Sequence, residues 1–182
     1  MIEATVVGAP LTLESIEARA AERGLLLRLR LSGPIALRGL RVVVARPRPA
    51  QAPLLLGELK GWALPTARGL HLDTMRVQGH DTAGVGPLIW AATFAWALEA
   101  SPCRQARLLA IRDDARQHRR LVRYFRGLGF APLRELGAGV LDLGPRLIWG
   151  GSGLLMEGDC REGLRRCGRR LAAQERSEAT AI

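Results

Sequence analysis

The first part of the chain alternates apolar and polar residues in patterns that predict one helix followed by four strands. Thr12 can cap a short helix that runs to about Arg23, and Gly24 is suited to end it. The sequence LLLRLRL over 25–31 has a period of two, and residues 40–45 are rich in β-branched side chains, so both predict strands. Two further strands are predicted over 53–62 and 70–77.

The middle of the chain, residues 69–130, has a specific order of elements: a strand, a Gly-rich turn, an apolar helix, a second strand and an amphipathic helix. The apolar helix opens at Pro87, in a first turn that does not need its N–H, and runs to about Ala100. It is apolar nearly all round, so it must be buried on more than one side. Residues 107–111 predict a short buried strand, and the acidic pair at 113–114 is placed to cap the next helix.

The amphipathic helix runs from Ala115 to Gly127 and divides into two faces. Its apolar stripe predicts packing against the core, while the opposite stripe consists of arginines. Such a charged stripe is either a solvated face or a surface that binds an acidic partner. The candidate partner-binding residues are Arg116, Arg119, Arg120 and Arg123.

The C-terminal part is predicted to hold two late strands, over 140–143 and 146–149, and a basic helix over 161–173. Residues 172–182 are polar and lack periodicity, which predicts a disordered tail. We therefore expect a single domain over 1–171, with an N-terminal helix and strands over 12–62 and a core over 69–130.

The chain is strongly basic, with 27 lysine and arginine residues against 17 acidic ones among 182 residues. A basic protein can bind nucleic acid, anionic lipid, an acidic protein or a phosphorylated cofactor, and no zinc-finger or RNP motif selects among these. The three cysteines form no CxxC pair, so the sequence predicts neither a disulfide framework nor a zinc site. No secretory signal opens the chain, and the apolar run 85–98 is shorter than the roughly 20 residues that span a bilayer. We expect a soluble cytoplasmic protein.

The order of elements over 69–130, with the turn HDTAGVGP and the helix end RYFRGLGF, resembles the core of the GNAT superfamily of acetyl-CoA-dependent N-acetyltransferases. The resemblance implies an α/β fold with a mixed, mostly antiparallel sheet, a central parallel crossover and flanking helices. It also implies acetyl-CoA, or another acyl-CoA, as cofactor. In that family the turn follows the pattern Arg/Gln-x-x-Gly-x-Gly/Ala, and its backbone N–H groups hold the pyrophosphate. Gly84, Val85 and Gly86 match the end of the pattern and are implied to bind the cofactor.

Three residues depart from the family pattern. Asp81 stands at the first position of the turn motif, where a carboxylate would repel a pyrophosphate, and Pro87 removes a donor just after the glycines. Many members end this region Tyr-x-x-x-Gly-Phe, with the tyrosine protonating the departing thiolate, but here that position is Phe125. Tyr124 is adjacent, about 100° away around the helix, and is the candidate acid.

A general base is needed to deprotonate the acceptor amine, directly or through water. His71 and Asp73 alternate with leucines along the fourth strand, so we predict that they share one face of it. Either residue is a candidate for the base.

Two functions remain open from the sequence. The first is transfer of an acyl group from coenzyme A to an amine, on a small molecule or a protein, by a degenerate active site; the intact Gly84 and Gly86 favour it. The second is a catalytically inactive GNAT-like protein whose arginine face binds an acidic protein or nucleic acid; Asp81, Pro87 and Phe125 favour that reading.

Overall fold

The computed structural model describes residues 11–180, which form one seven-stranded sheet and five α-helices. The strands are β1 (Leu26–Ser32), β2 (Arg38–Arg48), β3 (Gln51–Ala63), β4 (Leu70–Val77), β5 (Gln105–Ile111), β6 (Phe130–Leu136) and β7 (Gly153–Asp159). The helices are α1 (Leu13–Glu22), α2 (Val85–Ala100), α3 (Ala115–Leu128), α4 (Leu143–Trp149) and α5 (Cys160–Thr180), and a 3-10 turn (Val140–Asp142) precedes α4. Among the helices of residues 11–180, none combines the length and the apolar character that a membrane crossing requires.

The sheet has the order β1-β2-β3-β4-β5-β7-β6, and every neighbouring pair is antiparallel except β4 and β5. Those two strands are parallel and joined by α2, the geometry expected of a single crossover helix. The predicted fold class, a mixed and mostly antiparallel sheet with one central parallel crossover, is therefore confirmed.

The core lies between the sheet and α2, which is buried on all sides as its composition predicted. Helices α1 and α5 pack against α2, and α3 packs against α5 and the strands β5 and β6. The contact between α2 and α5 is close because Gly163 has no side chain: a Cβ there would lie 2.5 Å from Cε2 of Phe94.

Both predicted helix caps are present. The Thr12 hydroxyl accepts a hydrogen bond from the Ser15 N–H at 3.1 Å at the start of α1. At the start of α3 the Asp114 carboxylate accepts from the N–H groups of Arg116 and Gln117 at 3.0 and 2.9 Å. Gly129, with a φ of 102°, ends α3 in the left-handed conformation that glycine adopts without strain.

The strands predicted over 140–143 and 146–149 are wrong, because this segment forms the 3-10 turn and α4. The Asp142 carboxylate accepts from the Gly137 N–H at 2.9 Å and pairs with Arg134, which fixes a turn where the apolar residues alone suggested extended chain. Strands β6 and β7 were not predicted. β6 is an edge strand that contains Pro132 and buries only its two ends, so it has no clear period.

The prediction of a disordered tail over 172–182 is wrong for residues 172–180, which continue α5 to Thr180. Residues 181 and 182 lie outside the described residues. The polar end of α5 is held by ion pairs to α1 rather than by apolar packing: Arg19 contacts Glu175 at 3.2 Å and Arg23 contacts Glu178 at 3.1 Å. Apolar periodicity could not reveal such a helix.

Candidate active site

The two parallel strands of the sheet separate soon after they meet. β4 and β5 pair only from Leu70 to Leu72 and from Ala106 to Leu108, although both strands continue. A small cavity of about 40 Å³ lies where they diverge. The residues that line it are Leu59, Leu72, Asp73, Thr74, Met75, Trp90, Leu108, Leu109 and Phe125.

Strand separation leaves backbone groups available at this gap. Within residues 11–180, the part of β4 beyond Leu72 has no strand paired on the side that faces β5. Unpaired N–H and C=O groups on an exposed strand edge can bind an extended, amide-containing ligand as a further strand would. The gap is thus chemically suited to a chain that carries amide groups and ends in the cavity.

A bulge in β4 sets the position of Asp73 at the cavity. Thr74 pairs with Lys60 and Leu72 pairs with Gly61, so Asp73 has no partner on β3. We predicted that His71 and Asp73 share one face of β4 because side chains alternate along a regular strand. The bulge interrupts that alternation, and bulges commonly change the direction of a side chain in this way. Asp73 is exposed and lines the cavity, whereas His71 does not line it.

The glycine turn and the start of α2 lie beside the same cavity. Gly84 is left-handed, with a φ of 76°, and caps α2 without a side-chain hydrogen bond. A Cβ on Gly86 would lie 3.5 Å from the Tyr124 Oη and 3.6 Å from the Met75 Cε. Since Met75 lines the cavity, Gly86 is adjacent both to the cavity lining and to Tyr124.

Few backbone donors are free at this turn. Val85 N–H donates to the Thr82 carbonyl at 3.1 Å, Leu88 N–H donates to the Gly84 carbonyl at 3.1 Å, and Pro87 has no N–H. In the described part of the chain no acceptor is found for the N–H groups of Gly84 and Gly86. The three candidate cofactor residues therefore offer two donors, and an anion bound here needs positive charge from elsewhere.

The Asp81 carboxylate does not stand alone in front of the turn. The Arg46 guanidinium donates to it at 2.9 Å and to the Asp81 carbonyl at 3.2 Å. The ion pair is exposed, so its contribution to stability is small, but it offsets part of the repulsion between Asp81 and an anion at the α2 N-terminus.

The side chains of Tyr124 and Phe125 lie in two different environments. Phe125 lines the cavity and packs edge-on against Trp90, with ring centroids 6.2 Å apart. The Tyr124 hydroxyl accepts a hydrogen bond from the Trp90 Nε1–H at 2.9 Å, which leaves its own proton free to donate. Burial raises the pKa of Tyr124, so the hydroxyl holds its proton at neutral pH.

A basic groove of about 600 Å³ runs along α3 from Tyr124. Asp114, Arg116, Gln117, Arg120, Leu121 and Tyr124 line it. The four arginines predicted as a partner surface are thereby divided, because Arg116 and Arg120 line the groove while Arg119 and Arg123 do not. None of the four makes an ion pair with another residue of the range 11–180.

The sheet face opposite α2 carries a row of side chains that the sequence did not group. Strand register places Trp62, His71, Arg107 and Glu157 next to one another on four neighbouring strands. The His71 ring stacks on Trp62, with centroids 3.8 Å apart and planes within 5°, and Trp149 of α4 lies 5.0 Å away. The Arg107 Nε donates to the Glu157 carboxylate at 2.7 Å.

This environment makes His71 a weak base. Burial, and then the nearby Arg107, lowers the pKa of His71 to about 4, and its buried Nδ1 has no hydrogen-bond partner in the described part of the chain. Of the two candidate bases, Asp73 is the one beside the cavity.

The cysteines offer no nucleophile at the site. Cys103, Cys160 and Cys167 are free and buried, and burial raises the pKa of the Cys160 and Cys167 thiols to about 12. Thiols in such surroundings are unreactive.

Comparison with known proteins identifies a similar structure but no relative in sequence. No family model matches the chain, and no curated protein matches it. A crystal structure of nourseothricin acetyltransferase is similar over 78% of this chain and 93% of that one, with 15% sequence identity and a TM-score of 0.48.

Proposed function

We propose that the protein transfers an acyl group from coenzyme A to an amine. The observation that carries the proposal is the continuity of three features: the cavity between β4 and β5, the α2 N-terminus and the arginine groove. Gly86 and Trp90 connect them, because Gly86 is next to both Met75 and Tyr124, and Trp90 both lines the cavity and donates to Tyr124. An acyl-CoA has a small acyl end, an amide-containing arm and a phosphorylated end in the same order.

The phosphates of the cofactor are bound by a mixture of backbone and side-chain groups in this proposal. The N–H groups of Gly84 and Gly86 donate at the positive end of α2. The two backbone donors carry no net charge, so Arg116 and Arg120 supply the positive charge. In the GNAT superfamily an arginine at the first position of the turn motif can do so. Asp81 is tolerated because Arg46 pairs with it.

The amide-containing arm lies along the unpaired edge of β4, and the acyl group enters the cavity. A cavity of about 40 Å³, lined largely by apolar side chains, favours acetyl or a similarly small group. A long acyl chain would require Phe125 or Met75 to move.

The chemical steps follow from the residues beside the cavity. The neutral amine attacks the thioester carbonyl carbon, a C–N bond forms, and the C–S bond breaks with its electron pair leaving on sulfur. Asp73 accepts the proton of the amine through water, and the Tyr124 hydroxyl gives its proton to the departing thiolate. Phe125 has no proton to give and shapes the cavity instead.

A non-catalytic binding protein is the second candidate. The exposed positions of Arg119 and Arg123, outside the groove and without ion pairs in the range 11–180, favour it. If these residues bind an acidic partner, their reversal to Glu should abolish its capture, and added salt should weaken the complex because exposed charges are screened within about 10 Å at 0.1 M. For nucleic acid the affinity should also fall linearly on a log–log plot against salt.

Release of the thiol of coenzyme A tests the proposal that the protein is an acyltransferase. With acetyl-CoA and an amine, the wild-type protein should release thiol faster than the buffer does, and Tyr124→Phe should slow the release by about 10²-fold, the lower range for a general acid. The affinity for acetyl-CoA should not change. Equal rates for both proteins would remove Tyr124 from the mechanism, and no release with any amine favours the binding protein.

A further inference from the structure

We infer that the acceptor is a small monoamine bearing an aromatic or similar apolar group, and that it binds on the outer sheet face against Trp62 and Trp149. The inference rests on the proposed acyl transfer and specifies its second substrate. It excludes polyamines and other polycations as the preferred acceptors.

The sheet face opposite α2 has an aromatic surface at β4, the strand that also carries Asp73. His71 is held between Trp62 on β3 and Trp149 on α4, so the three rings form a continuous, half-buried stack. Flat aromatic surfaces of this kind bind other rings by stacking and by removing apolar area from water. None of the three rings has a role in holding the cofactor in the proposed arrangement, which leaves the stack available to the acceptor.

An apolar hollow of about 750 Å³ continues from the stack toward the β1–β2 turn. Trp62 belongs to both the stack and the hollow, and Pro34, Leu37 and Leu64 supply most of the remaining apolar lining. Leu37 is 51% exposed and Leu64 is 37% exposed. Among residues 11–180 no acidic or basic side chain lines the hollow, so an uncharged apolar group fits it better than a charged one.

The charges on this face argue against a polycation. Glu58 pairs with Arg41 and with Lys60 at 3.7 Å, and Glu157 pairs with Arg107 at 2.7 Å. Both glutamates are therefore neutralised by cations of the protein itself. A second or third ammonium group of a polyamine would meet arginines rather than free carboxylates.

Asp73 makes no ion pair within residues 11–180. It follows His71 by two residues on β4, so the Cα atoms are about 6–7 Å apart, and its side chain lines the cavity at the gap beside β4. An amine beside Asp73 with its ring on the stack thus needs a short linker, such as two carbons. The site accommodates one ammonium group and one apolar group at that spacing.

Binding of 2-phenylethylamine and spermidine, measured by saturation-transfer NMR and calorimetry on the full chain, tests the inference. The expected result is that 2-phenylethylamine binds more tightly than spermidine and that Trp149→Ala weakens its binding about ten-fold through loss of the aromatic contact. Trp62→Leu, which keeps an apolar side chain, should weaken it too, and both variants should bind acetyl-CoA as the wild type does. Leu147→Ala is the matched control, because Leu147 is on the same helix but 85% exposed.

Tighter binding of spermidine, or undiminished 2-phenylethylamine binding in folded Trp149→Ala and Trp62→Leu proteins, would overturn the inference. Either result leaves acyl transfer intact if acetyl-CoA still binds. Failure of the wild-type protein to bind acetyl-CoA, by contrast, counts against the proposed function itself.

Discussion

Tyr124 and Phe125 are adjacent on α3, yet only one of them contributes to the lining of the cavity. Phe125 lies at the cavity, and the Tyr124 hydroxyl lies at Gly86 with the Trp90 Nε1–H as its donor. In the proposed arrangement the hydroxyl is therefore on the side from which the cofactor arm would enter, and Phe125 is on the side where the acyl group would end.

Exchange of these two residues distinguishes their roles. Phe125→Tyr places a second hydroxyl at the cavity, and in the Tyr124→Phe background it should restore part of the lost rate, since general acids supply about 10²–10⁴-fold when well placed. Single-turnover rates with acetyl-CoA measure the effect. If the double variant is as slow as Tyr124→Phe alone, with unchanged cofactor affinity, position 125 is not an acid site.

His71 should make the free energy of unfolding depend on pH. Its pKa is about 4 in the folded protein and 6.5 when unfolded, so the unfolded state binds more protons between these values. Stability should therefore fall as pH falls from about 6.5 to 4 and be independent of this group above 6.5. His71→Phe keeps an aromatic ring without the titration, so urea unfolding of the variant should lose this part of the pH dependence. Parallel curves for both proteins would show that His71 is not held neutral by the fold.

At the scale of elements, α5 depends on glycine at one position and not at another. A Cβ at Gly163 would lie 2.5 Å from the Phe94 ring, while one at Gly168 would lie 3.4 Å from Leu11 Cδ2. Gly163→Ala should destabilise the protein by about 1–3 kcal/mol through overpacking. Gly168→Ala should be neutral or stabilise it by up to about 1 kcal/mol through helix propensity. Chemical denaturation of both variants measures the difference, and equal effects would contradict the close packing of α5 on α2.

The two arginine pairs of α3 provide a matched comparison. Arg116→Ala/Arg120→Ala removes the groove pair and should weaken acetyl-CoA at least about ten-fold, the equivalent of one hydrogen bond to a charged group. Arg119→Ala/Arg123→Ala removes the same charge from outside the groove and should leave the affinity nearly unchanged. Equal losses for the two pairs would mean that overall charge, rather than the groove, attracts the cofactor.

Elements with local signals could be predicted from the sequence, and elements without them could not. Helix α2 followed from its continuous apolar sequence, and α1 and α3 from Thr12 and Asp114 at their caps. The last turns of α5 depend on ion pairs to α1, and β6 is a poorly alternating edge strand; neither is visible in periodicity. The apolar residues of α4 were misinterpreted as strands because Asp142 and its turn override local preference.

At the scale of the whole molecule, the candidate site is a product of topology. The cavity exists because β4 and β5 pair over only three residues each, and no sequence pattern encodes where a parallel pair stops. The aromatic stack comes from the register of the consecutive strands β3 and β4, which pairs Trp62 with His71, and from α4, which brings Trp149 to His71 from a distant part of the chain. By contrast Gly84, Gly86 and Tyr124 were identifiable from the turn and helix motifs, since these residues lie within two local patterns.

Calorimetric titration of the full chain with acetyl-CoA tests the central claim most directly. The account predicts a saturable, one-site binding curve that weakens with added salt and weakens further in Arg116→Ala/Arg120→Ala but not in Arg119→Ala/Arg123→Ala. Coenzyme A without the acetyl group should bind at the same site, because the phosphates and the amide arm make most of the contacts. Absence of binding to both compounds by the folded wild-type protein would contradict the account.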